Sequence, residues 1–400
     1  MVFEVLFWLS VFAVFHTYVL YPFLLKIFSS NKSDNTVVFP YDENLPFVSI
    51  LISVFNEQEV IVEKIESIYN TNYPVEKFEL IIGSDASTDN TNSLLDDLSQ
   101  KYHSLHFFIF KQRQGKGNII NQLFEKTKGE ILILTDANVI FETNTIYELV
   151  KHFKNKDIGL VDTNMINKGL KKEGISIQEN AYLSREVIIK NQESRIWGTM
   201  MGPFGGCYAI RKELYSKVPE NYLVDDFYIN MKVFEKQQKA INNLNAKVYE
   251  HISSNLKDEF RRKVRIATGN FQNLKTFAYL LLTPFKSVSF CFLSHKVLRW
   301  LGPFFLIIAF ISNIFLLFHP DSPCQSFTAG RSEFYKYLFY FQCFVFILPV
   351  IDYLLRKFKI HIVTLRFITH FYSMNLALLF GFINFLKGVE TNVWKPTKRN

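Results

Sequence analysis

The chain has 400 residues, of which 48% are hydrophobic and 20% charged, with 42 phenylalanines and a formal net charge of +8. That composition excludes a disordered chain, and the phenylalanine count points toward lipid for part of it. The excess positive charge lies in clusters beside apolar runs (Lys26, Arg261 to Lys263, Lys296 and Arg299, Arg356 to Lys359, Lys395 to Arg399), which suits anionic lipid or a phosphorylated ligand and gives no nucleic-acid stripe.

Val2 to Leu25 is an apolar run with Glu4 in place of a basic start and no small-residue cleavage site, which predicts a retained membrane anchor over residues 1–28. The polar segment 29–46 is a linker. Apolar strands and amphipathic helices then alternate, with strands predicted over 47–55, 78–85, 105–110 and 129–138 and helices over 56–70, 90–102 and 115–127. This βαβαβαβ order predicts an α/β domain with a mostly parallel sheet and helices on both faces.

The pattern continues with a helix over 145–153, a strand over 158–166, a helix over 175–195, a glycine-containing turn at 202–212, a helix over 225–238 and a last strand over 246–252. The domain is therefore expected over residues 47–268. Residues 269–296 are apolar but interrupted by Lys275, Pro284 and Lys286, as interfacial helices are. Three spans are expected within 297–388, at Leu298 to Phe318, Tyr335 to Leu355 and Phe367 to Leu386, followed by a basic tail over 389–400. The positive-inside rule places the basic segments and the α/β domain in the cytoplasm of a multi-pass cell-membrane protein. Three complete spans would put the tail KPTKRN outside, against that rule, so one segment is re-entrant or the count is one too high.

Several strand ends carry groups suited to chemistry. Asn56, Glu57 and Asp85 follow the first two strands, where ligands of parallel sheets bind, and suit a base imide and ribose hydroxyls. Gly115 and Lys116 open a helix and offer backbone donors and an ammonium to an anion. Asp136 and Asn138 are two residues apart beyond a strand and offer hard oxygens to Mg2+ or Mn2+. Asp225 and Asp226 precede a helix, where one can serve as a general base. Arg262, Lys263 and Arg265 could clamp a diphosphate. Singly, each of these has a simpler reading as a turn former, helix cap or headgroup contact. Cys207, Cys291, Cys324 and Cys343 have no CxxC spacing and imply neither a disulfide frame nor a zinc site.

The segments SILISVFNEQEVI, IIGSDASTDNT, GKGNIIN, LTDAN, GGCYAIRKEL, VDDFYIN and RRKVRI together resemble the membrane-bound family 2 glycosyltransferases, which include cellulose, hyaluronan and poly-N-acetylglucosamine synthases. The likeness covers roughly Phe47 to Ile266. It implies a Rossmann-like fold of the GT-A type, a nucleotide-sugar donor such as a UDP-sugar, and a saccharide or lipid-linked acceptor. In that family the matching residues place Asp85 on the base, Asp136 to Asn138 on the cation, Asp226 as the base and Arg265 on the diphosphate. The same segments bring Phe55 and Asn121 to the donor and Gly205, Gly206 and Cys207 to the acceptor. Cell-envelope or exopolysaccharide synthesis, membrane lipids and export or assembly subunits follow as expected context and partners.

The departures are specific. The DxD motif reads Asp-Ala-Asn and drops one charge, TED reads Val-Asp-Asp, and QxxRW reads Arg-Lys-Val-Arg-Ile without its tryptophan. Processive synthesis is thus less directly implied than glycosyl transfer. Two alternatives stand beside it: transfer of one sugar to a polyprenyl phosphate or other lipid, with Phe271 to Phe292 receiving its tail, and a silent scaffold subunit.

Overall fold

The computed structural model describes residues 1–41, 44–168, 176–251, 256–318, 329–358 and 360–393. The chain starts with helix α1 (Val2–Phe15), a π-turn and helix α2 (Tyr21–Ser29), then enters strand β1 (Val48–Val54). Helices α3 (Ile61–Tyr69), α4 (Thr91–Lys101) and α5 (Lys116–Phe124) alternate with β2 (Phe78–Asp85), β3 (Leu105–Phe110) and β4 (Ile131–Thr135). After β5 (Ile140–Phe141) come α6 (Thr145–Val150), β6 (Ile158–Lys168), α7 (Ser176–Trp197), β7 (Cys207–Arg211), α8 (Asp225–Glu235) and β8 (Lys239–His251).

The eight strands form one sheet in the order β3-β2-β1-β4-β7-β6-β8-β5. The half that follows the βαβ alternation is parallel, with β1 between β2 and β4. Strand β7 then enters antiparallel between β4 and β6, so the sheet is mixed. Residues 207–211, expected as part of a turn, are this strand, whose short CYAIR sequence sits directly behind a run of glycines. Strand β8 also starts seven residues before the expected AKVYEHI. Its first half is largely polar, and two of its asparagines are buried and bond sideways: Asn242 donates to Asp162 Oδ2 at 3.0 Å and Asn243 to Glu148 Oε2 at 2.9 Å.

Strand β1 has apolar residues on both faces, yet the pleat divides them. Ile50 and Ile52 pack with Ile65 of α3 and Leu95 of α4, whereas Leu51 faces Ile119 and Leu123 of α5. This second cluster does not end at the domain. It continues through Ala267 to Phe277, Phe292, Trp300 and Leu378, so the sheet and the membrane-level helices share one apolar core.

That lower layer begins with α9 (Leu256–Thr276), which runs through residues 268 and 269 without a break, and continues with α10 (Ser287–Cys291), a π-turn and α11 (Leu298–Trp300). Helices α12 (Gly302–Phe318), α13 (Ala329–Lys357) and α14 (Val363–Lys387) follow. Among the described residues, three helices are long and apolar enough to cross a membrane: Val2–Ser29, Glu333–Lys357 and Val363–Lys387. The expected span Leu298 to Phe318 is instead bent, because Gly302 and Pro303 restart the helix at 62° to Ser287–Trp300. Leu282 and Phe285, between α9 and α10, are 83% and 100% exposed, as residues entering a bilayer surface would be. Helix α14 lies along α9, with Phe382 5.1 Å from Phe271 and Gly381 packed on Ala267. The expected outward segment 319–334 lies largely outside the described residues, and the tail KPTKRN wholly so.

Candidate active site

The carboxyl ends of β1, β2 and β4 form one edge of the parallel half-sheet, and the turn before β7 closes it. At the end of β2, Asp85 is buried and accepts from Gln114 N at 2.7 Å, Gly115 N at 2.9 Å and Arg113 Nε at 3.2 Å. The Arg113 guanidinium lies 3.3 Å from the centre of the Phe55 ring, a stacked cation–π contact. Asp85 therefore orders the loop that opens α5, and Arg113, which sequence reasoning missed, joins it to Phe55. Asn56, with a positive φ of 54°, accepts from Thr88 N at 2.8 Å, and Glu57 N donates to Thr91 Oγ1 at 2.9 Å. These contacts knit the ends of β1 and β2 together.

Lys116 reaches across the edge to Asp136 Oδ1 at 2.7 Å and to the Gly205 carbonyl at 2.9 Å. Burial lowers its pKa, but Asp136, Asp225 and Asp226 outweigh burial and hold the ammonium above its ordinary value. Asp225 and Asp226 form the first turn of α8. Burial, then the neighbouring Asp225, raises the Asp226 carboxyl from 3.8 to about 6, with Lys116 opposing. A Cβ on Gly205 would stand 2.5 Å from Asp226 Oδ2, so a residue without a side chain is what lets this acid sit against the turn. The turn is held from behind: Phe204 N donates to Asp162 Oδ1 at 2.7 Å, and buried Lys190 pairs with Asp162 Oδ2 at 2.6 Å.

Asp136, Lys116, Gly205, Gly206, Asp225, Asp226, Arg262 and Arg265 line one cavity of about 1300 Å³. Arg265 donates to the Leu223 carbonyl at 3.2 Å, and Arg262 stands 3.7 Å from Glu259. Three expected site residues point elsewhere. Cys207 lies in the sheet core, where burial pushes its thiol up to about 12. Asn121 spends its amide on Val218 and Tyr215. Asn138 is buried and donates to Glu250 Oε1 at 2.9 Å; Glu250, not Asn138, lines the cavity. In the run Phe271 to Phe292, Phe271, Phe277 and Phe292 are buried, whereas Tyr279, Leu282 and Phe285 are exposed.

Two further contributors lie far away in the sequence. Asn392, just beyond α14, is buried against Gly115, whose φ is +84°; residues 388–393 thereby close over the start of α5. Lys64 of α3 is fully buried under the Asp136 loop, donating to Thr135 Oγ1 at 2.9 Å and to the Val139 carbonyl. Burial pulls its pKa down to about 7.

Among the described residues, no three His, Cys, Asp or Glu side chains gather to hold a metal ion. The chain's own oxygens at this edge, Asp136 and Glu250, fit a hard divalent cation only where a ligand's phosphates complete its shell.

A mixed sheet of this order, with acids at its carboxyl edge and apolar helices before and after, is a GT-A-type glycosyltransferase fold. The mannosyltransferase PcManGT from Pyrobaculum calidifontis, solved with GDP-Man and Mn2+, shares it at a TM-score of 0.69 and 20% identity, over 96% of this chain and 99% of that one. Residues 49–218 match the family model for Glycosyl transferase family 2, and the chain carries a glycosyltransferase domain of that family. The beta-monoglucosyldiacylglycerol synthase of Nostoc sp. is 28% identical over 157 residues, 39% of this chain and 34% of the relative. The poly-beta-1,6-N-acetyl-D-glucosamine synthase of Staphylococcus epidermidis is 28% identical over 146 residues, 36% and 34%. The matched part thus spans about a third of these curated relatives' length.

Proposed function

We propose that the protein is an inverting membrane glycosyltransferase that moves a sugar from a nucleotide-diphosphate donor, a UDP-sugar being the first candidate, to a hydroxyl of a saccharide or glycolipid. The observation that carries this reading is that Asp226 lines the same cavity as Asp225, Lys116 and Asp136, where burial and Asp225 raise its carboxyl to about 6. A base with that pKa is ionised at neutral pH and still takes a proton.

In the proposed reaction Asp226 accepts the acceptor's hydroxyl proton as that oxygen bonds to the anomeric carbon. The bond from that carbon to the diphosphate breaks on the opposite face, and the nucleoside diphosphate leaves with the electron pair. Lys116, Arg262 and Arg265 surround the space for this leaving charge. Asp136, with Glu250 nearby, would hold Mg2+ or Mn2+ together with the donor's phosphates, and the cation would neutralise the diphosphate. Asp85, Arg113 and Phe55 shape the donor's base end.

We further infer that the catalytic domain and the C-terminus lie on the cytoplasmic side. Helix α14 packs along α9, and the segment after it reaches Gly115, which suits a helix at the membrane surface better than a span. The count of crossings then falls by one, and Arg356 to Lys359 and the basic tail obey the positive-inside rule.

The test is to incubate the full chain in lipid with a panel of nucleotide sugars and Mg2+ or Mn2+, and to size the products by mass spectrometry. A ladder marks polymerisation and a single increment marks one transfer. No donor consumption with any member would overturn the reading.

A further inference from the structure

We propose that the membrane-facing half of the cavity binds a lipid-borne acceptor with a phosphate between its hydrocarbon tail and the hydroxyl that receives the sugar. The proposal rests on the glycosyl-transfer reading and names its acceptor. Three observations carry it.

The first is size. The cavity, about 1300 Å³, exceeds the ~300–1,000 Å³ of ordinary small-molecule sites, so a donor held at the sheet edge leaves room for a second substrate.

The second is the far wall. Phe367, Phe371, Met374 and Leu378 line the cavity from α14. Their spacing of four, three and four residues puts them on one helical face, which turns toward the cavity. A path for a saccharide polymer would present hydroxyls and amides along this face. It presents two phenyl rings, a thioether and an isobutyl group, and flexible Met adapts well to hydrocarbon. Two polar residues of α14 also line the cavity: His370, which is turned to Glu179 at 3.3 Å, and Asn384, further along the helix.

The third is charge. Arg185, Lys296 and Arg299 line the cavity around the single carboxylate Glu186. Arg299 Nη1 is 2.6 Å from Glu186 Oε2, Lys296 pairs with Oε1, and Arg185 donates to the Tyr18 carbonyl. His295, behind the wall, also touches Glu186 and bonds Glu193 at 2.8 Å. The buried Nε of Arg299 has no hydrogen-bond partner. Arg185, Lys296 and Arg299 thus outnumber Glu186 and the Glu193 carboxylate behind it, an excess of positive charge that suits an anion. Tyr18 ties this patch to the apolar wall, standing 5.4 Å from Phe371 and 5.7 Å from Arg299. Apolar wall, cationic patch and catalytic acids share one cavity, as the tail, phosphate and hydroxyl of an amphiphile would need.

The experiment photolabels the full chain in nanodiscs with a diazirine-bearing farnesyl phosphate, without donor, and maps the adducts by mass spectrometry. Label is expected on the peptides containing Tyr18 and Met374, with farnesyl phosphate competing at about tenfold lower concentration than farnesol. Arg185→Gln should erase that preference, and Met374→Trp should cut the labelling by filling the wall. Equal competition by farnesol, label confined to other helices, or indifference to both substitutions would overturn the proposal. The readout needs no turnover, so a protein that binds this probe but consumes no donor would sink the transfer reading and leave the lipid site standing.

Discussion

Lys116 Nζ lies 2.7 Å from Asp136 Oδ1, so an ammonium holds the place that a cation would take beside this carboxylate. A divalent ion arriving alone must displace it, whereas one arriving with a diphosphate can leave Lys116 on a phosphate oxygen. We expect metal to bind weakly to the protein alone and firmly with nucleotide diphosphate. Asp136→Ala should weaken nucleotide binding in Mg2+ or Mn2+ far more than in chelator, as measured by calorimetric titration. Equal affinity under all conditions would remove the cation from this edge.

The Asn138 position makes a separate test. Its amide donates to Glu250, so Asn138→Asp should set two carboxylates against each other and lower the thermal midpoint at pH 8. The conventional expectation is that restoring the second acid of DxD tightens metal binding. Tighter binding with no loss of stability would mean that the Asn138–Glu250 bond does not matter.

Asp226→Asn removes the proton acceptor but keeps the shape. Turnover should fall by about 10² to 10⁴, with donor affinity little changed and with loss of the wild-type rise in rate through pH 6. A stability effect accompanies it. Because the folded pKa is raised from 3.8, the contribution of this group is full below that value and is lost as pH rises through about 6. The asparagine variant should therefore gain most over wild type near pH 8 and little near pH 4, by thermal unfolding at the two pH values.

Gly205→Ala pushes a methyl into the Asp226 carboxylate. We expect a folded protein with nearly intact nucleotide affinity and a large loss of rate, since the acid and not the donor loop is displaced. A rate equal to wild type would show that Asp226 can move without cost.

If α14 lies at the membrane surface, residues 360–362 belong on the catalytic side. Asp34→Cys and Ile360→Cys, each in a background without native cysteines, should be labelled by an impermeant maleimide from the same face of sealed vesicles. Labelling from opposite faces would restore α14 as a crossing.

Much of the parallel half-sheet was legible, because strands such as FELIIGSD are continuous apolar runs bounded by turn residues, and buried parallel strands must be so. Strand β7 was not, since five residues behind a glycine run carry no periodic signal and their place between β4 and β6 is decided by long-range pairing. The first part of β8 was hidden by its asparagines, of which Asn242 and Asn243 are buried where Asp162 and Glu148 meet them. In the site, the acids at strand ends were visible as types and positions. Their partners were not: Arg113 on Phe55, Glu250 on Asn138 and Asn392 on Gly115 are contacts across the fold with no local pattern. Cys207 and Asn121 are neighbours of site residues whose own side chains turn inward.

Leu51 and Leu134 of the sheet pack in the same apolar cluster as Phe292, Trp300 and Leu378, so no seam separates the part that handles the donor from the part that meets lipid. Cutting the chain before Ser287 would strip Phe292 and Trp300 from Phe227 of α8, and each large buried apolar group lost removes about 1.5–3 kcal/mol. Heating the protein in detergent should melt sheet and helices in a single transition, and its midpoint should shift with the surrounding amphiphile. The bilayer is then a structural support of the sheet edge, and a change in its thickness or composition reaches Asp226 through packed side chains.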